Sequence, residues 1–447
     1  MTESRAAFRW LWAGQTASVF GTAISRLAIP TIAIVSLAAT PFAVGLLEAV
    51  EFAAFPLLGL VAGVWVDRWS RRTTMLVADV LRALALATIP LAGVFHALGY
   101  AQLVAVAACA GIASVFFAVA YQSIVPSLVA SDALESANAR LEFSNSAAQI
   151  AGAGLAGALI SVLGAPLTIA LDAVSYVVSV VTLGVIRVRE PHRENRAEPT
   201  PFLLAVREGF AVVFGSPVLV RIMAATALSN LGSAMITAVY LIYAYRLLHL
   251  SPAVIGLVFA IANAGFVGAF LAPRAARRFG TGPILVAAMA VPALAQFALP
   301  LALVVRVPAA VLFAVELAIT LFVPVYNITQ ISLRHRLVPP EQHGRMNATL
   351  RTVVWGTLPI GTLAGGALGG TVGIVPTLVA GAFATSLALV PLLSRPVREL
   401  RYSSVMSPAE SVSATPFHCP VASWPALTMR KSPEQEHTTI QRAMKGL

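Results

Sequence analysis

The sequence predicts an all-α membrane protein in which twelve spanning helices form two six-helix bundles. Hydrophobic residues make up 58% of the 447 residues and charged residues only 11%, whereas soluble chains carry roughly 25% charged residues. The apolar residues collect in long runs without strand-like alternation, and about 20 residues are the length a helix needs to cross a bilayer. The two halves also repeat each other, because several glycines of the first half recur at one constant spacing in the second.

The twelve runs follow one another with short breaks. Many breaks contain Gly, Pro or Arg, which end helices or stay outside the membrane. The predicted spans lie near 10–37, 41–66, 73–95, 100–129, 141–163, 166–187, 217–245, 251–273, 281–303, 307–333, 346–370 and 374–394.

The positions of the basic residues predict the orientation. If the N-terminus is cytoplasmic, the outer loops fall near 38–40, 96–99, 164–165, 246–250, 304–306 and 371–373. These loops hold only Arg246 and Arg306 of the chain's thirty basic residues. Because basic loops stay cytoplasmic, both termini are expected there.

A polar segment divides the chain. Residues 188–216 are polar until Phe202, and the amphipathic stretch that follows is expected to lie on the inner membrane surface. This linker separates an N-terminal six-helix bundle (1–187) from a C-terminal one (217–394). From 395 to 447 the apolar pattern stops, and a composition rich in Ser, Pro, Thr and charge predicts a disordered cytoplasmic tail.

Several classes of function are excluded. The net charge of +11 does not indicate nucleic-acid binding, because the arginines lie between apolar runs and not on one basic face. Cys109 and Cys419 lie far apart and the seven histidines are scattered, so we expect no disulfide framework and no metal site. A nucleotide loop of the GxxxxGK[ST] type is missing from the sequence. We therefore expect neither an enzyme nor an ATP-driven pump, and no cofactor.

A charged hinge between the second and third runs carries the clearest motif, Gly63-x-x-x-Asp67-Arg68-x-Ser70-Arg71-Arg72. It resembles the loop G-x-x-x-D-R-x-G-R-[RK] between the second and third helices of major facilitator superfamily transporters, with Ser70 in place of the second glycine. In that family the aspartate and the basic residues lock the two halves in one of the alternating conformations. The resemblance implies a gating role for Gly63, Asp67, Arg68, Arg71 and Arg72. The alternative is that the arginines only set the topology.

Other stretches extend the resemblance to roughly residues 8–400 and to the drug and siderophore efflux branch, which includes macrolide efflux proteins. They include Leu11-Trp12-x-Gly14-Gln15, Ala78-Asp79-x-x-Arg82, Leu171-Asp172-Ala173-x-Ser175 and Gly344-Arg345-Met346-Asn347-Ala348. The resemblance implies drug:proton antiport. The fourth run, however, lacks the arginine that antiporters often carry there, and the glycines of the fifth run lack the antiporter proline. Transport without proton exchange therefore stays open.

Ionisable residues inside the runs are candidates for coupling, because charge near the bilayer midplane is costly. Arg26, Glu51 and Glu316 lie about 16, 15 and 14 Å from the outer ends of their runs, at 1.5 Å per residue. Glu48 is one turn shallower than Glu51 on the same helix face. We expect Glu316 and Glu51 to respond to protons or attract cations, with Arg26 as counter-ion. The alternative is a structural Arg26–Glu51 pair.

Polar residues inside the runs are candidates for the substrate path. In the family, the first, fourth, seventh and tenth helices line the cavity. The candidates are Tyr121, Gln122, Asn230, Tyr240, Asn263, Tyr326, Asn327 and Gln330. Alternatively, such groups join helices to one another.

Asp79 and Arg82, three residues apart on one helix, are expected to form a structural pair, and Asp172 is also interpreted as structural.

These observations and the resemblance together predict a secondary transporter in the cytoplasmic membrane of a bacterium. We expect a monomer that exports a small lipophilic or amphipathic compound, such as a macrolide-like drug, by proton antiport. A siderophore or metabolite exporter of the same fold is the first alternative. A membrane sensor or scaffold that transports nothing is the alternative from another class.

Overall fold

The computed structural model describes residues 2–186, 202–398 and 400. All of them lie in one compact unit, Met1–Tyr402, and this part of the chain is helical without strands. The polar start of the predicted linker and the predicted tail from residue 401 onward lie outside the described residues.

Six long helices form the N-terminal half. Helix α1 covers Thr2–Thr31 and continues as a π-helical turn, Ile32–Ser36. The others are α2 (Pro41–Arg68), α3 (Arg71–Val94), α4 (Tyr100–Leu128), α5 (Leu134–Leu163) and α6 (Ala165–Val185).

The C-terminal half follows a short linker helix, Phe202–Phe214. Helix α7 covers Pro217–Ile242 and continues as a π-helical turn, Tyr243–Leu247. Helix α8 consists of two segments, Pro252–Asn263 and Gly268–Phe279, joined by the 3-10 turn Ala264–Val267. Then follow α9 (Thr281–Ala295, extended by the 3-10 helix Gln296–Leu303), α10 (Pro308–Leu337), α11 (His343–Thr371) and α12 (Ile374–Ser386, followed by Leu389–Leu392).

Hydroxyl side chains begin four of these helices. Thr40, Ser70, Ser216 and Ser251 each accept a hydrogen bond from the backbone N–H three residues later, at 3.2 to 3.5 Å. Such N-caps satisfy backbone donors that have no partner inside the helix. Ser70, the departure from the family motif, is therefore the N-cap of α3.

The predicted fold class and the twelve predicted spans are confirmed, because twelve helices of the described part are long and apolar enough to cross a membrane.

The boundary between the last helix and the predicted tail differs from the prediction. Arg395–Arg398 form a helical turn in which Val397 is fully buried, and the carbonyl of Leu400 accepts a hydrogen bond from the N–H of Gly282 at 3.1 Å. The packed structure therefore continues beyond residue 394, and the predicted start of the tail at 395 is too early.

The sequence repeat appears as a structural repeat at the ends of α1 and α7. Both helices end in a π-helical turn, Ile32–Ser36 in the first half and Tyr243–Leu247 in the second. Each turn is followed by a non-glycine residue with positive φ, Ala38 at 48° and His249 at 51°. The two halves thus build the same chain reversal from different side chains.

The two halves contact each other at two related pairs of glycines. A Cβ atom on Gly45 of α2 would lie 2.9 Å from the Cα of Gly366 on α11. A Cβ atom on Gly256 of α8 would lie 2.8 Å from the Cα of Gly157 on α5. Small residues of this kind let helix backbones approach closely inside a membrane. Any side chain at these positions would push the halves apart.

Polar contacts also join the halves at the predicted outer end. The guanidinium Nη2 of Arg246 donates to the carbonyls of Ile34 and Ala39, at 3.1 and 2.8 Å. The hydroxyls of Tyr245 and Thr31 lie 2.8 Å apart and share a hydrogen bond. The end of α7 is therefore tied to the end of α1 and the loop that follows it.

The glycine contacts give a matched pair of substitutions on α11. Gly366→Ala should destabilise the protein by about 1–3 kcal/mol, the usual cost of overpacking, because its Cβ would lie 2.8 Å from the carbonyl of Pro41. Gly370→Ala should be neutral or slightly stabilising, because nothing lies within 4 Å of its Cβ. Thermal unfolding in detergent measures both, and equal melting temperatures would contradict the proposed contact.

Candidate functional site

A cavity of about 610 Å³ lies between the two halves. Helices α1, α2 and α5 line it from the N-terminal half, and α7, α8, α9, α10 and α12 line it from the C-terminal half. Most lining side chains are apolar or carry a single hydroxyl or amide. The volume lies in the range of roughly 300–1,000 Å³ that is typical of small-molecule sites.

Three charged residues line the cavity in the described part of the chain: Arg26, Glu48 and Glu316. The Arg26 side chain is exposed, whereas Glu48 and Glu316 are half-buried. One oxygen of Glu48 is buried and has no hydrogen-bond partner among the described residues. Two acids and one arginine thus share the cavity lining.

Glu51 lies outside the cavity lining and is exposed. It still interacts electrostatically with Arg26 and with Glu48. The structure therefore groups Arg26, Glu48 and Glu51 on the N-terminal half. Glu316 stands on the opposite wall, beside the hydroxyl of Tyr240.

Five of the eight predicted path residues line the cavity: Asn230, Tyr240, Asn263, Tyr326 and Asn327. Three of the five also join helices. Asn230 donates to the Val354 carbonyl on α11 at 3.1 Å, Asn263 donates to the Gln149 carbonyl on α5 at 2.7 Å, and the hydroxyls of Tyr326 and Thr226 lie 2.8 Å apart. These three side chains thus join helices and also line the cavity, and their place on a substrate path stays a prediction.

Tyr121, Gln122 and Gln330 do not belong to the described lining, contrary to the prediction. Helix α4 contributes no residue to it, although the resemblance implied that it would. The Tyr121 ring stacks on that of Phe117 in the same helix, with 5.9 Å between centroids. Gln330 lies one turn beyond Tyr326 and is only 5% exposed.

Gln296 of α9 is a polar lining residue that was not predicted from the sequence. Its side chain is 4% exposed, and its Oε1 has no hydrogen-bond partner among the described residues. A signal was present in the sequence. Apart from Thr281 at its start, Gln296 is the only polar side chain of the run 281–303.

A buried charge cluster lies inside the N-terminal half, away from the cavity. The predicted Asp79–Arg82 pair forms, and Asp79, which is fully buried, also accepts from the Ser179 hydroxyl at 2.6 Å. The guanidinium of Arg82 lies between two rings, 4.4 Å from that of Phe117 and 4.3 Å from that of Tyr176. Cation–π contacts stabilise such a desolvated charge.

Asp172 of α6 lies close to this cluster and is 1% exposed. Its Oδ1 accepts from the hydroxyl of Ser175 at 3.1 Å, and its charge interacts with Arg82. Two buried carboxylates, Asp79 and Asp172, therefore share one guanidinium as counter-charge.

The hinge arginines bind carbonyls at the ends of neighbouring helices. Arg71 donates to the Ser123 carbonyl of α4 at 2.5 Å. Arg72 donates to the carbonyls of Leu183 and Gly184 in α6, at 2.9 and 2.6 Å. Basic residues commonly satisfy free carbonyls in this way at helix C-termini.

The structure describes few contacts of the other residues in the hinge motif. The side chains of Asp67 and Arg68 lie outside the described part, and Gly63 faces open space. The gating role of the motif stays a prediction.

The buried cluster gives a second testable prediction. Arg82→Met should destabilise the protein by about 3–5 kcal/mol, because it leaves the Asp79 carboxylate buried without its partner. Asp79→Asn in the same chain should restore part of the lost stability, since the Asp79 charge is then gone while Asp172 still lacks its counter-charge. Thermal unfolding of the single and double variants in detergent checks this. A double variant no more stable than Arg82→Met would refute the pairing argument.

Two solved structures with the same fold place the architecture among known transporters. A bacterial homologue of the iron transporter ferroportin, in an inward-facing state, has a TM-score of 0.70 and 18% identity, covering 86% of this chain and 97% of that one. A bacterial homologue of the human lysosomal transporter Spinster, inward-facing and unoccupied, has a TM-score of 0.68 and 15% identity, covering 90% and 99%. Identities this low show the fold alone.

Two curated relatives are efflux proteins. Macrolide efflux protein A of Streptococcus pyogenes is 24% identical over 206 residues, 46% of this chain and 51% of that protein. The multidrug efflux pump Tap of Mycolicibacterium fortuitum is 28% identical over 166 residues, 36% and 41% of the two chains. The chain thus spans about half the length of the first relative, and less of the second.

The family model of the Major Facilitator Superfamily matches residues 11–354, so the chain belongs to this superfamily of transporters.

Proposed function

We propose that this transporter exports a small lipophilic or amphipathic cation across a bacterial cytoplasmic membrane in exchange for protons. The observation that carries the proposal is the cavity between the halves, where two acids and one arginine lie in a largely apolar lining. Both relatives bear efflux names, which supports the direction of transport. The placement of basic residues supports cytoplasmic termini.

The lining favours this class of substrate for two reasons. An apolar wall gains free energy by burying apolar surface of the substrate. The excess of acids in the cavity attracts a positive charge, and Glu48 has an oxygen free to accept a hydrogen bond. A lipophilic anion would meet two carboxylates and only one guanidinium.

Exchange follows from the cost of an unneutralised carboxylate inside a membrane. Glu316 lies across the cavity from Arg26, which interacts with Glu51 on the N-terminal half. A proton or a substrate cation can neutralise Glu316, but the two compete for the same carboxylate. Binding of the cation then releases the proton. We assign this exchange to Glu316 and a supporting role to the Arg26–Glu51–Glu48 group.

Proton release on substrate addition tests the proposal. The purified protein in weakly buffered detergent solution should acidify the medium when erythromycin, rhodamine 6G or tetraphenylphosphonium is added. Glu316→Gln should abolish the release, because the amide has no proton to exchange, and Glu51→Gln should reduce it. The control is Glu341→Gln, which changes an exposed acid between α10 and α11 and should leave the release unchanged.

The outcomes separate the parts of the proposal. Binding of a probe without proton release by the wild-type protein would indicate uniport or coupling to another ion. Release that persists in both Glu316→Gln and Glu51→Gln would reject these acids as carriers. The failure of all three probes to bind would reject the proposed substrate class.

A further inference from the structure

The repeat allows the same space between helices to be compared in the two halves. Gly157 and Gly366, which make equivalent contacts with the opposite half, define the interval of the repeat. The last residues of α4 and α10 are separated by the same number of residues as Gly157 and Gly366, and so are the first residues of α6 and α12. The first residues of α3 and α9 depart from this spacing by one position. On this alignment Arg82, Phe117 and Tyr176 correspond to Pro292, Tyr326 and Thr385.

The two halves use this space differently. In the N-terminal half the guanidinium of Arg82 lies between the rings of Phe117 and Tyr176 and fills it. In the C-terminal half all three corresponding residues line the cavity. The cavity therefore reaches positions in the C-terminal half whose equivalents Arg82 closes in the N-terminal half. We use the name side pocket for the part of the cavity lining formed by Tyr240, Met289, Pro292, Gln296, Glu316 and Thr385.

Polar atoms without partners line this side pocket. Gln296 is 4% exposed and Tyr240 7% exposed. In the described part of the chain, the Gln296 Oε1 has no hydrogen-bond partner, and the Tyr240 hydroxyl lies beside Glu316 without normal hydrogen-bond geometry. Leaving a buried polar atom unpaired costs about 1–3 kcal/mol. A ligand that donates a hydrogen bond here would recover part of that cost.

We propose that the side pocket binds the N–H-bearing cationic end of the substrate, with Gln296 as a specificity-determining residue. The inference rests on the proposed function and adds to it. The Gln296 Oε1 accepts the hydrogen bond from this N–H group, and Glu316 supplies the opposite charge. In the N-terminal half, by contrast, the positive charge of Arg82 fills the space equivalent to that of Pro292, Tyr326 and Thr385. The substrate therefore binds with its polar end in the C-terminal half.

The roles of Glu316 and Gln296 can be tested separately, because the charge of a ligand and its hydrogen-bond donors can be varied independently. Rhodamine 6G is a lipophilic cation that carries N–H groups. Tetraphenylphosphonium is a lipophilic cation without any donor. Glu316 should recognise both probes, whereas Gln296 should recognise only the first.

The experiment measures the affinities of both probes for the full-length protein, by fluorescence polarisation for rhodamine 6G and by competition for tetraphenylphosphonium. Gln296→Leu should weaken rhodamine 6G binding about tenfold, the equivalent of one hydrogen bond of about 1.4 kcal/mol, and should change tetraphenylphosphonium binding less than twofold. Glu316→Gln should weaken both. Gln102→Leu is the matched control, since this side chain lies outside the cavity and donates to the Thr88 carbonyl.

Stability distinguishes recognition from a structural role. Because Gln296 has an unpaired buried oxygen, Gln296→Leu should leave the melting temperature of the ligand-free protein unchanged or raise it. A clear loss of stability, or equal losses of affinity for both probes, would overturn the side-pocket assignment and leave the proposed function standing. Failure of the wild-type protein to bind either cation would reject the proposed function and the assignment with it.

Discussion

The close approach of Gly45 to Gly366 and of Gly157 to Gly256 determines where the two halves of this protein meet. Inside a membrane the helices gain little from the hydrophobic effect, so backbone contact between small residues provides much of their association. These contacts involve α2, α5, α8 and α11. The inward faces of α1, α7 and α10 surround the cavity, and α1 and α7 meet at their ends.

The repeat that produced two similar halves also shows how they differ. In the N-terminal half, Arg82 and its two aromatic neighbours close the interior and hold two buried carboxylates nearby. The corresponding space in the C-terminal half is part of the cavity. At these positions the N-terminal half is filled by its own side chains, and the C-terminal half is open to the cavity.

Much of the fold could be predicted from the sequence because long apolar runs, and the Gly, Pro and Arg residues in the breaks between them, are local features. The charged residues of the cavity, Arg26, Glu48 and Glu316, were found because charge inside an apolar run is conspicuous. The prediction that α4 lines the cavity was wrong. Whether Tyr121 faces the cavity depends on the rotation of the helix, which the contact of Phe117 with Arg82 influences across the bundle. Gln296 was visible as an isolated polar residue, but its unpaired oxygen appears only in three dimensions.

The tie at the predicted outer end has a consequence for the variation that the sequence can tolerate. Arg246 bonds the main-chain carbonyls of Ile34 and Ala39, not their side chains. Every residue type supplies such a carbonyl, so substitutions in the loop after α1 leave both acceptors in place as long as its backbone path is kept. Arg246 has less freedom, because both carbonyls accept from its Nη2, and a replacement must bring a nitrogen with at least two donors to the same point. The residues on one side of this contact can therefore vary, whereas the other side requires a long side chain with such a donor group.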